Sequence, residues 1–253
     1  MLNEKIMIID IPFNILDHPF WCGFKILYSP ISKKTQTKEW IDPRIDVFMD
    51  YTAKSLINQT NQNFKCILRH TPGTKEIIND SISRYPKLPD NIIFTDDGDN
   101  LIKEIISPYK YIFHIRIDSD NMFSPDYIDQ LYKIENYKNL QCILSQKGYM
   151  YDSNRDILAN MDHPSPSFYA FIYTVENFLL GLRYPVKDDH WGAISYIHEV
   201  IPTPSYMIII HKLNVSNDFQ VILEYPFIKT WLASEEEKEK ALKFFKLKES
   251  KLF

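Results

Sequence analysis

Apolar and polar positions alternate with period two over Tyr111-Ile-Phe-His-Ile-Arg-Ile-Asp118, and this alternation predicts a strand. Tyr111, Phe113, Ile115 and Ile117 fall on one face, and Ile112, His114, Arg116 and Asp118 on the other. The strand stops in acid, at Asp118-Ser119-Asp120. Ser124-Pro125 then reads as an N-cap and first helical residue, opening a helix to about Ile134.

Upstream, Lys5–Asp10, Phe64–Arg69 and Asn91–Thr95 read as shorter strands. Between them, Trp40, Ile41, Ile45, Phe48 and Leu56 carry helical spacing from Glu39 to about Thr60. Thr74–Arg84 and Leu101–Ser107 read as shorter helices, and Leu16 to about Thr37 as a long surface connection. This β-α alternation predicts a mostly parallel central sheet flanked by helices, an α/β fold.

Downstream the pattern is less regular. Gln141–Ser145 predicts a strand, and Lys147–Tyr151 with Asn154–Met161 a hairpin. Ser165–Tyr173 is a further apolar stretch, Val175–Leu182 and Ala193–Val200 read as helices, and Tyr206–Ile210 as a strand. Ser234-Glu-Glu-Glu237 has capping-box spacing and opens a C-terminal helix to about Leu247. Repeats and Gly/Ser-rich linkers are absent, so a single domain is expected. Its nucleotide-binding half would span about residues 1–135 and its acceptor-binding half about 136–253.

Composition narrows the function classes. Hydrophobic residues at 45% and charged residues at 25% of 253 are ordinary globular values, and a net charge of -4 argues against a nucleic-acid partner. Cys22, Cys66 and Cys142 are far apart and read as reduced, buried thiols. Glu4 and Asp10 interrupt the N-terminal apolar stretch, which lacks a signal-peptide layout, and apolar runs stay well short of the ~18–20 residues a bilayer needs. A soluble cytoplasmic protein is the expectation. The six glycines are too scattered for a P-loop or a dinucleotide fingerprint, so a bound nucleotide would be held by side chains and metal.

Ligands of open α/β sheets bind outside the carboxyl ends of strands, where Asp118 and Asp120 are expected. Paired carboxylates there suit a metal-bound phosphate, and Arg116 beside them favours their ionised forms. Asp97-Gly-Asp99 has the same spacing but is explained by a turn and a helix cap. His198-Glu199 is followed by Pro202 rather than His, which removes a zinc-protease reading.

Trp40-Ile-Asp-Pro-Arg44, Phe48, Ser55-Leu-Ile-Asn-Gln-Thr-Asn-Gln-Asn-Phe64 and Arg116-Ile-Asp-Ser-Asp-Asn-Met-Phe-Ser-Pro-Asp126 together resemble the rhamnosyltransferase family of bacterial glycosyltransferases. The likeness extends to Lys147-Gly-Tyr149, His190-Trp191 and Ile210-His-Lys-Leu-Asn-Val-Ser-Asn217. It implies a GT-A-like fold, a nucleoside-diphosphate sugar donor, and Mn²⁺ or Mg²⁺ bridging carboxylate and diphosphate. Arg116, Asp118, Ser119, Asp120 and Asn214 would bind the donor, with Asp118, Asp120 and His211 at the metal. Mixed carboxylate and imidazole ligation suits Mn²⁺.

Asp188, Asp189 and His190 are the candidates for the base that an inverting transfer needs. The acceptor would be a glycan or a lipid-linked glycan. The latter suits a peripheral membrane contact by the lysine-rich C-terminal helix. Two departures stand out: His70-Thr71 replaces the acid that would hold the base of the nucleotide, and Asn121 replaces a further acid. The rival readings are a sugar-phosphate nucleotidyltransferase, which the loop after Asp10 does not favour, and a catalytically silent glycan-binding protein.

Overall fold

The computed structural model describes residues 3–15, 34–187, 189–214 and 218–247. The strands are β1 (Asn3–Pro12), β2 (Phe64–Arg69), β3 (Ile92–Thr95), β4 (Tyr109–Arg116), β5 (Met122–Phe123), β6 (Cys142–Leu144), β7 (Lys147–Asp152), β8 (Ile157–Asp162), β9 (Tyr169–Thr174), β10 (His198–Val200), β11 (Tyr206–Ile210) and β12 (Lys229–Leu232). Seven form a central sheet in the order β10-β6-β9-β4-β1-β2-β3. Its β3, β2, β1 and β4 run parallel, as the sequence predicts, while β9 is antiparallel to both β4 and β6.

The alternation along the strands divides two cores. Met7, Ile9 and Ile11 of β1 join Phe113, Ile115 and Ile117 on one face, against Ile41, Ile45 and Phe48 of the helical stretch after residue 37. Ile6 and Ile8 join Ile112 on the other, against Ile102 and Ile106 of the helix Gly98–Ile106. These side chains are almost fully removed from water, each contributing about 1.5–3 kcal/mol relative to exposure.

A second sheet, in the order β12-β8-β7-β11-β5, has no counterpart in the sequence reading. The β7–β8 hairpin was legible, but β5 has two residues and β12 is a short, mostly exposed strand. Gly148 is required where this sheet packs: a Cβ there would lie 2.6 Å from the Tyr206 ring. The C-terminal helix Glu235–Phe244 carries the expected capping box at Ser234 and Glu237. It packs Ala241 and Leu242, with Phe245 just beyond it, against Met207, Ile209 and Leu158.

Other elements depart from expectation. Ala193–Val200 is not a helix: a 3-10 turn over Asp189–Ser195 leads into β10, which pairs in parallel with β6. β-branched Val200 suits that edge strand. The helix after the acids spans Tyr127–Lys133 with Asp126 at its N-cap, and Ser124 Oγ donates to the Asp126 carboxylate at 2.8 Å. The helix Val175–Leu179 stops early because Gly181 turns left-handed at φ 88° and the Leu182 amide returns to Asn177 O at 2.9 Å. Among the described residues, no helix is long and apolar enough to cross a membrane.

Candidate functional site

β1, β2 and β4 are parallel, so their carboxyl ends lie on one side of the central sheet. A cavity of about 470 Å³ opens at the end of β4. Arg116, Asp118, Asp120 and Asn121 contribute from that strand and the turn after it, and Arg44, His163, His190 and Asn214 from elsewhere.

The acid turn is held by Asn121, which is 2% exposed. Its Oδ1 accepts from the Ile209 amide of β11 at 3.0 Å, and its backbone carbonyl accepts from Thr52 Oγ1 at 2.7 Å. A neutral amide makes these contacts without burying charge, which gives a physical reason for Asn in place of an acid. Fixing the turn to β11 also sets Asp120 beside His211, the residue that follows β11.

Asp120 Oδ2 lies 3.4 Å from His211 Nε2 and 3.4 Å from Arg44 Nη1. All three side chains are largely buried. His211 Nδ1 accepts from the Leu213 amide at 3.1 Å, so the proton of the neutral ring sits on Nε2 and faces Asp120. Arg44 also donates from Nη2 to Leu213 O at 2.8 Å, and it lies over the Trp40 ring. Asn214 lines the cavity, but its Oδ1 accepts from the His211 amide and closes the turn. Arg116 Nη1 donates to Tyr169 Oη at 3.4 Å.

Of the expected donor-side residues, Arg116, Asp118, Asp120 and Asn214 therefore line one cavity, and His211 touches Asp120. Ser119 lies in the same turn without lining the cavity. Of the expected base residues, His190 lines it. Asp188 lies outside the described residues, and Asp189 is described only by its backbone.

Among the described residues, no group of three His, Cys, Asp or Glu side chains is arranged to hold a metal ion. Asp118, Asp120 and His211 thus do not form a closed ligand set by themselves. Asp120 and His211 still offer one carboxylate and one imidazole, a pair that fits a divalent ion taking its remaining ligands from phosphate oxygens and water. To hold an ion through Nε2, His211 would have to carry its ring proton on Nδ1 and give up the hydrogen bond it now accepts from the Leu213 amide.

Two residues that sequence reasoning missed complete the picture. Arg44 was visible only as part of a motif, because its role depends on a contact 76 residues away. His163 follows β8 and is buried beside His190, with ring centroids 5.2 Å apart. Its Nδ1 accepts from the Ser165 amide at 3.0 Å, and burial, reinforced by His190, pushes the imidazole down to about 3. Ser165 Oγ donates to His190 O at 2.8 Å, tying the two loops together.

The other candidates are structural. Asp99 pairs with Arg69 at 2.7 Å, and Arg69 with the fully buried Asp10, which also meets His114 Nε2 at 2.9 Å. Burial pushes the Cys66 and Cys142 thiols well up, so neither is a nucleophile.

No family model and no curated protein matches the sequence. Among solved structures, the chain is similar to Staphylococcus aureus TarS 1–349 in complex with UDP-GlcNAc, with a TM-score of 0.42 and 11% identity over 82% of this chain and 59% of that one. The complex of the same protein with UDP gives 0.40 and 10% identity over 82% and 60%. A Desulfovibrio desulfuricans G20 protein, whose nucleotide-diphospho-sugar transferase role is itself a proposal, gives 0.39 and 11% identity over 83% of each chain. The chain spans about 60% of the length of the TarS structures. At such identities, the chemistry of the site has to come from this chain's own residues.

Proposed function

We propose that this protein is a metal-dependent glycosyltransferase that moves a hexose, in the first instance rhamnose, from a nucleoside diphosphate to a glycan or lipid-linked glycan acceptor. The observation that carries the proposal is the gathering of Arg44, Arg116, Asp118 and Asp120 around one cavity at the end of β4, with His211 on Asp120. Cations alone would suit any anion. Cations interleaved with two carboxylates suit an anion that arrives with a divalent ion, as a nucleoside diphosphate does.

When bound, the ion supplies Lewis-acid stabilisation of the charge that develops on the leaving diphosphate. Asp120 and His211 would hold it, with Asp118 at the ion or the ribose. Arg116 faces the cavity as a fixed positive charge, and Arg44, which now pairs with Asp120, would be a second cation for the diphosphate if Asp120 held an ion. Placing such charges in advance is the main way a protein lowers a phosphate-leaving barrier.

The acceptor hydroxyl needs a base on the side opposite the departing diphosphate, and the 188–190 segment supplies the candidates. His190 faces the cavity. The expected outcome is inversion at the anomeric carbon. The lysine-rich C-terminal helix is the part of the chain proposed to meet a membrane surface. Its Lys238 is buried and bridges Asp156 at 3.0 Å, and its apolar stripe packs on the second sheet. Any such contact therefore rests on its outer lysines and Phe244.

Hydrolysis of a panel of UDP-, GDP- and dTDP-sugars without acceptor tests the reading. Slow, Mn²⁺-dependent release of one nucleoside diphosphate is expected. Absence of hydrolysis and of binding across the panel contradicts it.

A further inference from the structure

A row of aromatic rings leads out of the cavity. The His163 ring centroid lies 4.5 Å from that of Trp191, Trp191 lies 6.2 Å from Tyr225, and Tyr225 lies 5.9 Å from Phe227. Exposure rises outward: His163 is 4% exposed, Trp191 half-buried, Tyr225 40% exposed and Phe227 68% exposed. The rings come from three separate segments: the loop after β8, the 3-10 turn Asp189–Ser195, and the loop between the helix Phe219–Leu223 and β12.

Core packing accounts for the inner end of this row and not for the outer one. Phe227 has about two-thirds of its surface in water, where burial would stabilise it. Exposed aromatic rings grouped at the mouth of a polar cavity mark a binding surface. The planes of Trp191 and Tyr225 are inclined by only 33°, so their faces look in similar directions.

The inner end is polar. The Nδ1 of His163 is occupied by the Ser165 amide, so Nε2 carries the proton of the neutral ring and can only donate. Because burial holds the imidazole down to about 3, that donor is the same at every physiological pH. Stacking faces that begin at a fixed hydrogen-bond donor match a carbohydrate, which offers C–H faces and hydroxyls together. An acyl chain uses only the faces. The exposed Glu224 beside Tyr225 also favours a polar occupant.

We propose that His163, Trp191, Tyr225 and Phe227 form an acceptor-side subsite for a carbohydrate chain. The aromatic faces stack on successive sugar rings, and His163 Nε2 donates to a hydroxyl at the cavity end. The assignment to an acceptor rests on the transferase reading; the carbohydrate chemistry does not.

Ligand-observed saturation-transfer NMR tests it, with methyl rhamnoside and methyl glucoside as single-ring probes and maltotetraose, cellotetraose and chitotetraose as chain probes. At least one chain probe is expected to bind several-fold more tightly than the single rings. Trp191→Ala and Tyr225→Ala should each weaken that binding by about ten-fold, the loss of one buried stacking contact. Trp231→Ala, which removes an exposed ring of β12 that does not belong to the row, should leave binding unchanged.

His163→Gln, which keeps an N–H donor, should retain more binding than His163→Phe. Thermal melts confirm folding, and Tyr225→Ala carries the test if the buried His163 variants unfold. The proposal is overturned if no sugar probe binds, or if Trp191→Ala and Tyr225→Ala bind normally. It is also overturned if those variants lose binding to dodecylphosphocholine micelles in place of sugar. UDP, GDP and dTDP titrations of the unaltered protein separate the two readings. Nucleotide binding without sugar binding sinks the subsite alone, whereas sugar binding without nucleotide binding sinks the transferase and leaves a carbohydrate-binding row.

Discussion

Arg44 Nη1 lies 3.4 Å from Asp120 Oδ2 while its Nη2 donates to Leu213 O at 2.8 Å. One guanidinium thus joins the acid turn to the turn that carries His211. The ion pair is largely buried, so it is screened less than a surface pair. It also sets up a competition: Arg44 and a divalent ion favour the same carboxylate oxygen.

Arg44→Ala should therefore change two affinities in opposite directions. Mn²⁺ alone should bind several-fold more tightly, because Asp120 loses a competing cation. A nucleoside diphosphate with Mn²⁺ should bind about ten-fold more weakly, as expected for losing one charge-assisted hydrogen bond. Calorimetry measures both. A parallel loss of both affinities would show that Arg44 only holds the turn.

The His163 imidazole should stay neutral where free histidine titrates. Its folded-state value of about 3 lies below the unfolded value of 6.5, so the unfolded chain binds the extra proton first. This contribution to stability is fully present above pH 6.5 and is lost as the pH falls from there towards 3. NMR of ring-labelled histidine should find His163 unprotonated at pH 5. Denaturant melts of His163→Gln should show a shallower acid loss than the unaltered protein.

Asp10→Asn tests the buried network at the carboxyl ends of β1, β2 and β4. Arg69 would keep its contact to Asp99 and lose the charge of Asp10, which it meets through two nitrogens at 2.7 and 3.0 Å. Removing one partner of a buried pair costs about 3–5 kcal/mol. Urea melts should show a loss of that order, reduced by whatever Asp99 still offsets. Nucleoside diphosphate affinity of the folded fraction should not change, because this network lies outside the cavity lining.

Local periodicity made most of the front half legible. The Phe64–Arg69 strand falls where the apolar run places it, and the alternation from Tyr111 to Asp118 correctly separates Phe113 from Ile112. The back half resists because its elements are short and take their conformation from partners. Ala193 to Val200 reads as a helix, yet the tight approach of Gly192 to Lys187 and pairing with β6 make it the end of a 3-10 turn and an edge strand.

The same division runs through the site. Asp118 and Asp120 were visible because acids at a strand end are out of place in a core. The roles of Arg44, Asn121 and His163 were not, since each acts through a contact at long sequence separation or through burial. No local pattern distinguishes a buried histidine in a loop from an exposed one.

On the proposed function, Asp120 holds a divalent ion for a nucleoside diphosphate. Titrating UDP, GDP and dTDP into the protein and into Asp120→Ala, each with and without Mn²⁺, tests it directly. One nucleotide should bind the unaltered protein at least ten-fold more tightly with Mn²⁺ than without, and Asp120→Ala should abolish that difference while its melting curve stays cooperative. Equal Mn²⁺-dependent affinity in the two proteins would contradict the account.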